Sequence, residues 1–432
     1  MPMNEKIYCI EQPKIPNNWE EKIKDLSEIQ KKELIDISEN PIYLHWDKIK
    51  YKVFRDLPVS PEIVWAFIVN HRQQTYRDMS PIQDEKGMFY RYSLLQRWEK
   101  TLLFFDKMFL NRPRDHNHDS EPWMLEAISS AMIEGAHTTR DRAMKLLQFH
   151  KTPADFGERM ILNNYKMAQI LESLPMDFQI SLETLFDWQI QLTSQNLPEK
   201  DQGRLRTDAD QIVIAPKTQD VVTFVPPRES FLKDQLGPFI DFVNQDYDKH
   251  LHTHPLLQAI CIHYWFAYLH PFIDGNGRTA RSLFYWFLMK SGYPNITSLP
   301  LSPLILKSVQ QYSKAFIYSE QDHQDLTYFI DFNIRLVEEA LIQFKASQSV
   351  LRTNDVFLDE KLNLRQNTIL HMLKTNQLSD VNVSYMKQKF GVSKATAIND
   401  LKTLVSLDLL VSRRVGKNVL YRLKVSDSLY PG

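Results

Sequence analysis

The residues with the clearest chemical capacity form one stretch, His270-Pro271-Phe272-Ile273-Asp274-Gly275-Asn276-Gly277-Arg278-Thr279-Ala280-Arg281, set between two apolar helical patterns. Two of the chain's 11 glycines fall in it. Glycine permits positive φ and close backbone approach, so successive N–H groups can turn toward one anion, and a helix starting beside Gly277 adds the positive end of its dipole. Arg278 and Arg281, three apart, share a helical face from which both guanidinium groups can bracket a polyphosphate. Asp274 offers a hard oxygen ligand of the kind magnesium takes, the remaining ligands coming from phosphates and water. His270, at the end of the preceding helix, can accept a proton from an attacking hydroxyl near neutral pH. Phe272 is expected as a core anchor for the loop.

Such a loop needs rigid helices on both sides. Helical patterns run from Pro255 to Leu269 and from Gly277 to Lys290, preceded by Trp123 to Leu147, Met160 to Leu174 and Ser181 to Leu192, and followed by Leu304 to Tyr318 and Leu326 to Ala346. From Val59 to Phe109 the spacing of Trp65, Ile68, Leu94, Leu95, Trp98, Leu102 and Phe105 predicts two amphipathic helices, with Pro61 in a first turn. One β-hairpin is expected on this mainly α body, where Ile212, Val213 and Ile214, then Val221 to Val225, flank the turn-forming APKTQD. The N-terminal stretch is polar and proline-punctuated, with one helical run near Trp19 to Ile37.

With 432 residues, 43% hydrophobic and 24% charged, the chain can bury a sizeable core in two or three domains. A net charge of -1 excludes global attraction to nucleic acid or to an anionic membrane. Cys9 and Cys261 are too few for a disulfide framework. The opening MPMNEKIYCIEQPKIPNNWEEK has no apolar signal region, and no stretch approaches the ~18 apolar residues of a membrane span, so a cytoplasmic protein with no membrane partner is expected. His252, His254 and His263 lack the Cys or Glu spacing that would complete a zinc site.

The stretch from His270 to Arg281 resembles the Fic-family motif HPFx(D/E)GNGRxxR without departure. The resemblance implies a helical core over whose loop Mg-ATP lies, with pyrophosphate leaving and AMP passing to a Tyr, Thr or Ser hydroxyl of a protein. By position, His270 resembles the general base, Asp274 the magnesium ligand, and Gly275 to Gly277 the nest for the α- and β-phosphates. Asn276 would orient the α-phosphate, Arg278 hold the β-phosphate and Arg281 the γ-phosphate. His270, Asn276 and Arg278 are thus the expected catalytic set. Tyr312, in QQYSKAF, is similar to a residue lining the adenine pocket of relatives. The complete GNGR favours attack at the α-phosphorus, since kinase-like relatives depart from it. Removal of AMP, transfer of another nucleotide or of phosphocholine, and a DNA-binding regulator with a nucleotide-sensing core stay open. So do self-modification and homodimerisation.

Upstream, Ser129-Ser130-Ala131-Met132-Ile133-Glu134-Gly135 puts Ser130 and Glu134 one helical turn apart. It resembles the family's inhibitory pattern (S/T)xxxE(G/N), which implies that Glu134 pairs with Arg281 and blocks the γ-phosphate. In some relatives the equivalent glutamate helps water remove AMP. The hairpin around Ile212, Val213 and Ile214, introduced by Gly203-Arg204-Leu205-Arg206, resembles the family's flap; a free strand edge there could hold a target segment over His270 by main-chain pairing.

From Arg365 the pattern becomes helix, turn, helix and two strands. Gly391 suits the tight turn, Ser393 an N-cap, and Val415-Gly416-Lys417-Asn418 a hairpin tip. This end resembles the winged helices appended to some bacterial Fic proteins. Tyr385 to Lys424 holds nine Lys or Arg against two Asp, which suits DNA through Lys394, Thr396 and Asn399 on the second helix and Arg413, Arg414 and Lys417 on the wing, although winged helices also dock proteins. The expected divisions are a helical N-terminal region over 1–115, a Fic core with the inhibitory helix over 116–350, and a winged helix over 351–432.

Overall fold

A computed structural model of the chain describes residues 8–52, 59–113, 121–214, 222–245, 253–354, 362–374, 378–415 and 418–424. Near the N-terminus, α1 (Trp19–Lys24), α2 (Glu28–Glu39) and α3 (Trp46–Ile49) cover α4 (Pro61–Thr75). Ile23, Leu34, Trp46, Ile49, Trp65 and Ile68 share one buried cluster there. A capping box starts α2: Ser27 Oγ accepts from the Gln30 N–H while the Gln30 side chain accepts the Ser27 N–H at 2.9 Å. Pro61 occupies the first turn of α4, where its missing N–H costs nothing.

The two helices expected between Val59 and Phe109 are α4 and α5 (Trp98–Phe109), but an antiparallel hairpin, β1 (Tyr76–Gln83) and β2 (Phe89–Ser93), stands between them. The helical period lapses after α4; burial then alternates along the first part of β2, while the register of β1 slips between Asp78 and Gln83. Tyr90 and Tyr92 of β2 are buried with Met79 and Ile82 of β1. Gly87, at φ 76, turns the chain. β2 also pairs onward, its Arg91 N–H donating to the Gln324 carbonyl at 2.9 Å and its carbonyl accepting from Leu326 at 2.7 Å.

Next in the chain come α6 (Glu121–Ile133), α7 (Arg140–Gln148), α8 (Phe156–Ser173), α9 (Leu182–Thr193), α10 (Glu229–Asn244), α11 (Pro255–Leu269) and α12 (Asn276–Lys290). α11 is apolar on nearly every side and almost entirely buried, as a helix at the middle of a core must be. α13 (Ser302–Lys307), α14 (Val309–Gln321) and α15 (Thr327–Asn354) follow. α15 continues to Asn354, eight residues past the end of the helical pattern expected from Leu326 to Ala346. The chain divides into one compact unit of Met1–His137 with Arg159–Ile342 and a second of Thr138–Glu158 with Gln343–Gly432. The second therefore takes in α7 and begins its C-terminal part at 343 rather than 351.

That second unit contains α16 (Leu364–Lys374), α17 (Val383–Phe390), α18 (Lys394–Ser406), β3 (Leu410–Val415) and β4 (Asn418–Leu423). Gly391, at φ 62, makes the turn between α17 and α18, and Ser393 Oγ caps α18 by accepting the Thr396 N–H at 3.1 Å. β3 and β4 pair antiparallel, and Val381 adds a short third rung by exchanging main-chain hydrogen bonds with Tyr421 at 2.8 Å. Ile369, Met386, Ala397, Leu401 and Leu404 form its core. Asp400 is buried yet satisfied, receiving Arg365 Nε at 2.7 Å and Asn363 Nδ2 at 2.8 Å. No helix among the described residues is long and apolar enough to cross a membrane.

Candidate active site

α11 ends at Leu269, with His270 as its C-cap, and α12 begins at Asn276, so six residues, His270 to Gly275, turn the chain between two buried helices. His270 itself takes left-handed backbone, φ 47 and ψ 57, and Gly275 another left-handed step at φ 92. A Cβ at Gly275 would also come within 3.1 Å of Thr193 Cγ2 on α9. Phe272 is completely buried, as an anchor should be. The loop is braced by side chains. Asn276 Oδ1 accepts the Phe272 N–H at 2.9 Å and its Nδ2 donates to the Phe272 carbonyl at 2.7 Å. Gln189 on α9 donates to the Asp274 carbonyl at 3.2 Å and accepts the Gly203 N–H at 2.7 Å, tying the loop to the base of the flap.

Asn276→Ala strands the buried Phe272 N–H and carbonyl together. The expected cost is ~1–3 kcal/mol for the unsatisfied groups, read as a lowered melting temperature. An unchanged melting temperature would show that the brace contributes nothing.

The His270 ring is half-buried and faces a cleft of about 240 Å³ shared with Gly277, Arg281, Glu134, Tyr312 and Ile214. Burial pushes its imidazole down to about 4, the Ala267 carbonyl opposing and Arg206 assisting that shift. Nδ1 lies 3.3 Å from the Ala267 carbonyl. With Nδ1–H directed there, Nε2 keeps its lone pair. Arg206 fixes the His270 backbone: its Nε donates to the His270 carbonyl at 2.6 Å, while Nη2 donates to the Pro227 carbonyl at 2.6 Å and to Leu269 at 3.1 Å. The sequence placed Arg206 only in the approach to the flap. A buried arginine clamping three carbonyls leaves no periodic trace.

Arg278 and Arg281 do not face the cleft together. Arg281 lines it, but Arg278 is turned beneath the loop, 1% exposed, with Nη2 donating to both Asp274 oxygens at 2.9 Å and Nη1 to the Leu192 carbonyl at 2.7 Å. A buried guanidinium must be paired, and the carboxylate four residues back on the same turn is the partner within reach. Asn276 likewise directs its amide at the loop backbone rather than into the cleft. Asp274, its carboxyl 37% exposed, also accepts the Gly275 N–H at 2.6 Å.

Glu134 follows α6 directly, and α6 is fixed beside α12 by its buried Glu126, which accepts Tyr285 Oη and the Ser302 N–H, each at 2.9 Å. Arg281 Nη2 donates to Glu134 Oε1 at 2.7 Å, its Nε to Ser130 Oγ at 2.8 Å and its Nη2 also to the Ser130 carbonyl at 3.2 Å. A Cβ at Gly277 would collide with Glu134 Oε1. The carboxylate thus sits on the first turn of α12 against the only residue type that leaves room for it.

In the flap, Ile214 pairs antiparallel with Phe224, and both line the cleft. Ile212 and Val213 precede that bridge without strand pairing among the described residues; Val221 and the APKTQD turn lie outside them. The Val222 carbonyl accepts the Tyr8 N–H at 2.8 Å. Tyr312 is buried, its hydroxyl 2.8 Å from His263 Nε2 and pushed up to about 12 by burial. His254 caps α11 and meets Asp106 at 3.0 Å; His252 lies outside the described residues. In the second unit Lys394, Asn399, Arg413 and Arg414 are exposed and Thr396 half-exposed, while Lys417 lies outside the described residues.

The Fic/DOC family model matches residues 179–288, and a model described as an HTH domain matches residues 365–414. A protein adenylyltransferase Fic of Nematostella vectensis is 32% identical over 126 residues, 29% of this chain and 27% of that one. One of Drosophila willistoni is 36% identical over 118 residues, 27% of this chain and 22% of that one. The chain therefore spans about a quarter of the length of these curated relatives. A solved Fic family protein from Desulfovibrio desulfuricans G20 superposes with a TM-score of 0.49 at 16% identity, covering 78% of this chain and 98% of that one.

Proposed function

Given that residues 179–288 are a Fic/DOC-family domain, we propose that this protein transfers AMP from Mg-ATP to a hydroxyl of a protein and that Glu134 restrains the transfer. The observation that carries this is the seat of the Glu134 carboxylate, on Gly277 and Arg281 at the start of α12, in one cleft with His270. Backbone N–H groups, a helix dipole and a guanidinium gather there, which is what a terminal phosphate needs. The similarity to proteins named adenylyltransferase supports AMP as the transferred group.

In the proposed step the acceptor hydroxyl oxygen bonds to the α-phosphorus while the bond from that phosphorus to the bridging oxygen breaks. Pyrophosphate leaves, and the hydroxyl proton passes to His270 Nε2. Catalysis is placement and charge neutralisation. Asp274, exposed on its outer side, suits a magnesium ion whose other ligands are phosphate oxygens and water. When bound, that ion would offset charge gathering on the phosphates. A target segment would pair along the Ile212 to Ile214 side of the flap, because Tyr8 takes the Val222 carbonyl.

Glu134→Gly protein given ATP labelled at the α-phosphorus should retain label after denaturation, and label at the γ-phosphorus should leave. Retention of γ-label would assign a kinase, and retention of neither a nucleotide sensor. The rate should follow the neutral imidazole. Because burial lowers the His270 pKa, the active form is present above about 4 and is lost as pH falls through that value. Glu134 raises that pKa, so its removal should move the acid limb lower still; a midpoint near the ordinary histidine value would refute His270 as the base.

For the second unit we propose duplex DNA as partner, with α18 entering a groove and β3 lying along the backbone. Its match to an HTH domain and its exposed cations support this. Arg413→Ala and Arg414→Ala should each weaken binding about uniformly across sequences and reduce the salt slope by about 1. Absence of duplex binding at low salt would turn the assignment to a protein partner.

A further inference from the structure

One charged group in the cleft is unused by the proposed transfer. α14 lines the cleft once per turn, with Val309, Tyr312, Phe316 and Glu320. Tyr312 lies toward Arg281, whose charge lowers its pKa against the effect of burial. At an α-helical rise, Glu320 stands ~12 Å further along the wall, at the end away from the phosphate cradle. Aromatic rings line the same cleft: Tyr264 stacks on Phe316 with centroids 5.3 Å apart and on Tyr268 at 6.4 Å. Stacked rings of this kind accept a nucleobase. The Glu320 carboxyl is half-buried, lines the cleft, and has no hydrogen-bond or ion-pair partner among the described residues.

We propose that Glu320 selects the purine of the bound nucleotide by pairing with two neighbouring groups on its Watson–Crick edge. This rests on the cleft being a nucleotide site. A neutral carboxyl donates to adenine N1 and accepts from its 6-amino group; an ionised one accepts from guanine N1–H and its 2-amino group. Both states are accessible, because burial, with Asp84 adding to it, pushes the carboxyl up to about 7. Asp84 comes from the turn of the β1–β2 hairpin, with Glu85 beside Tyr268. Tyr90 on β2 and Tyr264 and Tyr268 on α11 are held neutral, burial raising each hydroxyl above its ordinary value. Glu134 and Arg281 at the far end pair with each other. Near neutrality, protonation of Glu320 therefore sets which base fits.

The test is equilibrium binding of ATP and GTP to the full-length Glu134→Gly protein at about pH 6 and about pH 8.5, on either side of that titration. The preference for ATP over GTP should fall roughly tenfold or more as pH rises. With Glu320→Gln added, an amide keeps one donor and one acceptor, so the preference should hold without pH response. With Glu320→Ala it should collapse toward parity. Measurable ATP binding with an unaltered ratio and pH response in Glu320→Ala would overturn the proposal alone. Failure of every variant to bind either nucleotide would instead remove the nucleotide site itself, and Glu320's role with it.

Discussion

Replacing His270 should leave a folded protein that binds ATP and transfers no measurable AMP. General-base help is worth ~10²–10⁴ in rate, and of the other carboxylates among the described residues lining the cleft, Glu134 is engaged by Arg281 and Glu320 stands at the end away from the phosphate cradle. Binding should survive, because the groups proposed to hold phosphate, Gly277 and Arg281, do not depend on the imidazole. The ring makes a single long hydrogen bond, to Ala267. The backbone there is left-handed, however, a conformation that costs alanine ~1–2 kcal/mol. His270→Asn tolerates it better and is the cleaner variant. Titration calorimetry and labelled transfer on both variants check this, and retained transfer in either would remove His270 from the mechanism.

Glu134→Gly should act in the opposite direction. Under the proposed restraint the carboxylate and the γ-phosphate compete for the Arg281 guanidinium, which is only 5% exposed and satisfied by Glu134 and Ser130. A hydrogen bond to a charged group contributes ~1.5–3 kcal/mol, so freeing Arg281 should tighten ATP binding roughly 10- to 100-fold and raise transfer at least as much. The gain must require Arg281. In a double-mutant cycle, Arg281→Ala should lose affinity in the Glu134→Gly background and much less beside an intact Glu134. Equal ATP affinity with and without Glu134 would dismiss the restraint, and release of AMP from modified protein only when Glu134 is present would assign it a hydrolytic role instead.

The loop that makes these predictions was legible because its parts are local. Two glycines between apolar helical runs, one histidine before them and an arginine after them specify a helix-to-helix turn with N–H groups facing outward, and His270, Gly277 and Arg281 do line one cleft. Ser130, on α6, and Glu134, just past its end, were legible for the same reason, being four residues apart. Spacing failed where direction depends on what lies below the loop. A separation of three positions between Arg278 and Arg281 suggests a shared face, yet the nearby Asp274 carboxylate and the Leu192 carbonyl draw Arg278 underneath. The β1–β2 hairpin was missed because its alternation is short and broken by polar residues and Pro81, so helical spacing on either side dominated the window. Arg206 and Gln189 were missed because they bond main-chain groups far away in sequence, which no local pattern encodes. At the C-terminus, Gly391 and Ser393 announced their turn and cap.

The most direct test is a crystal structure of the Glu134→Gly protein with magnesium and a non-hydrolysable ATP analogue. Phosphate density should lie on the Gly277 N–H and the Arg281 guanidinium, with the α-phosphorus facing His270 Nε2 and the purine among Tyr264, Phe316 and Glu320. A nucleotide bound elsewhere, or one whose phosphates leave Arg281 free and whose α-phosphorus is turned from His270, would contradict the account.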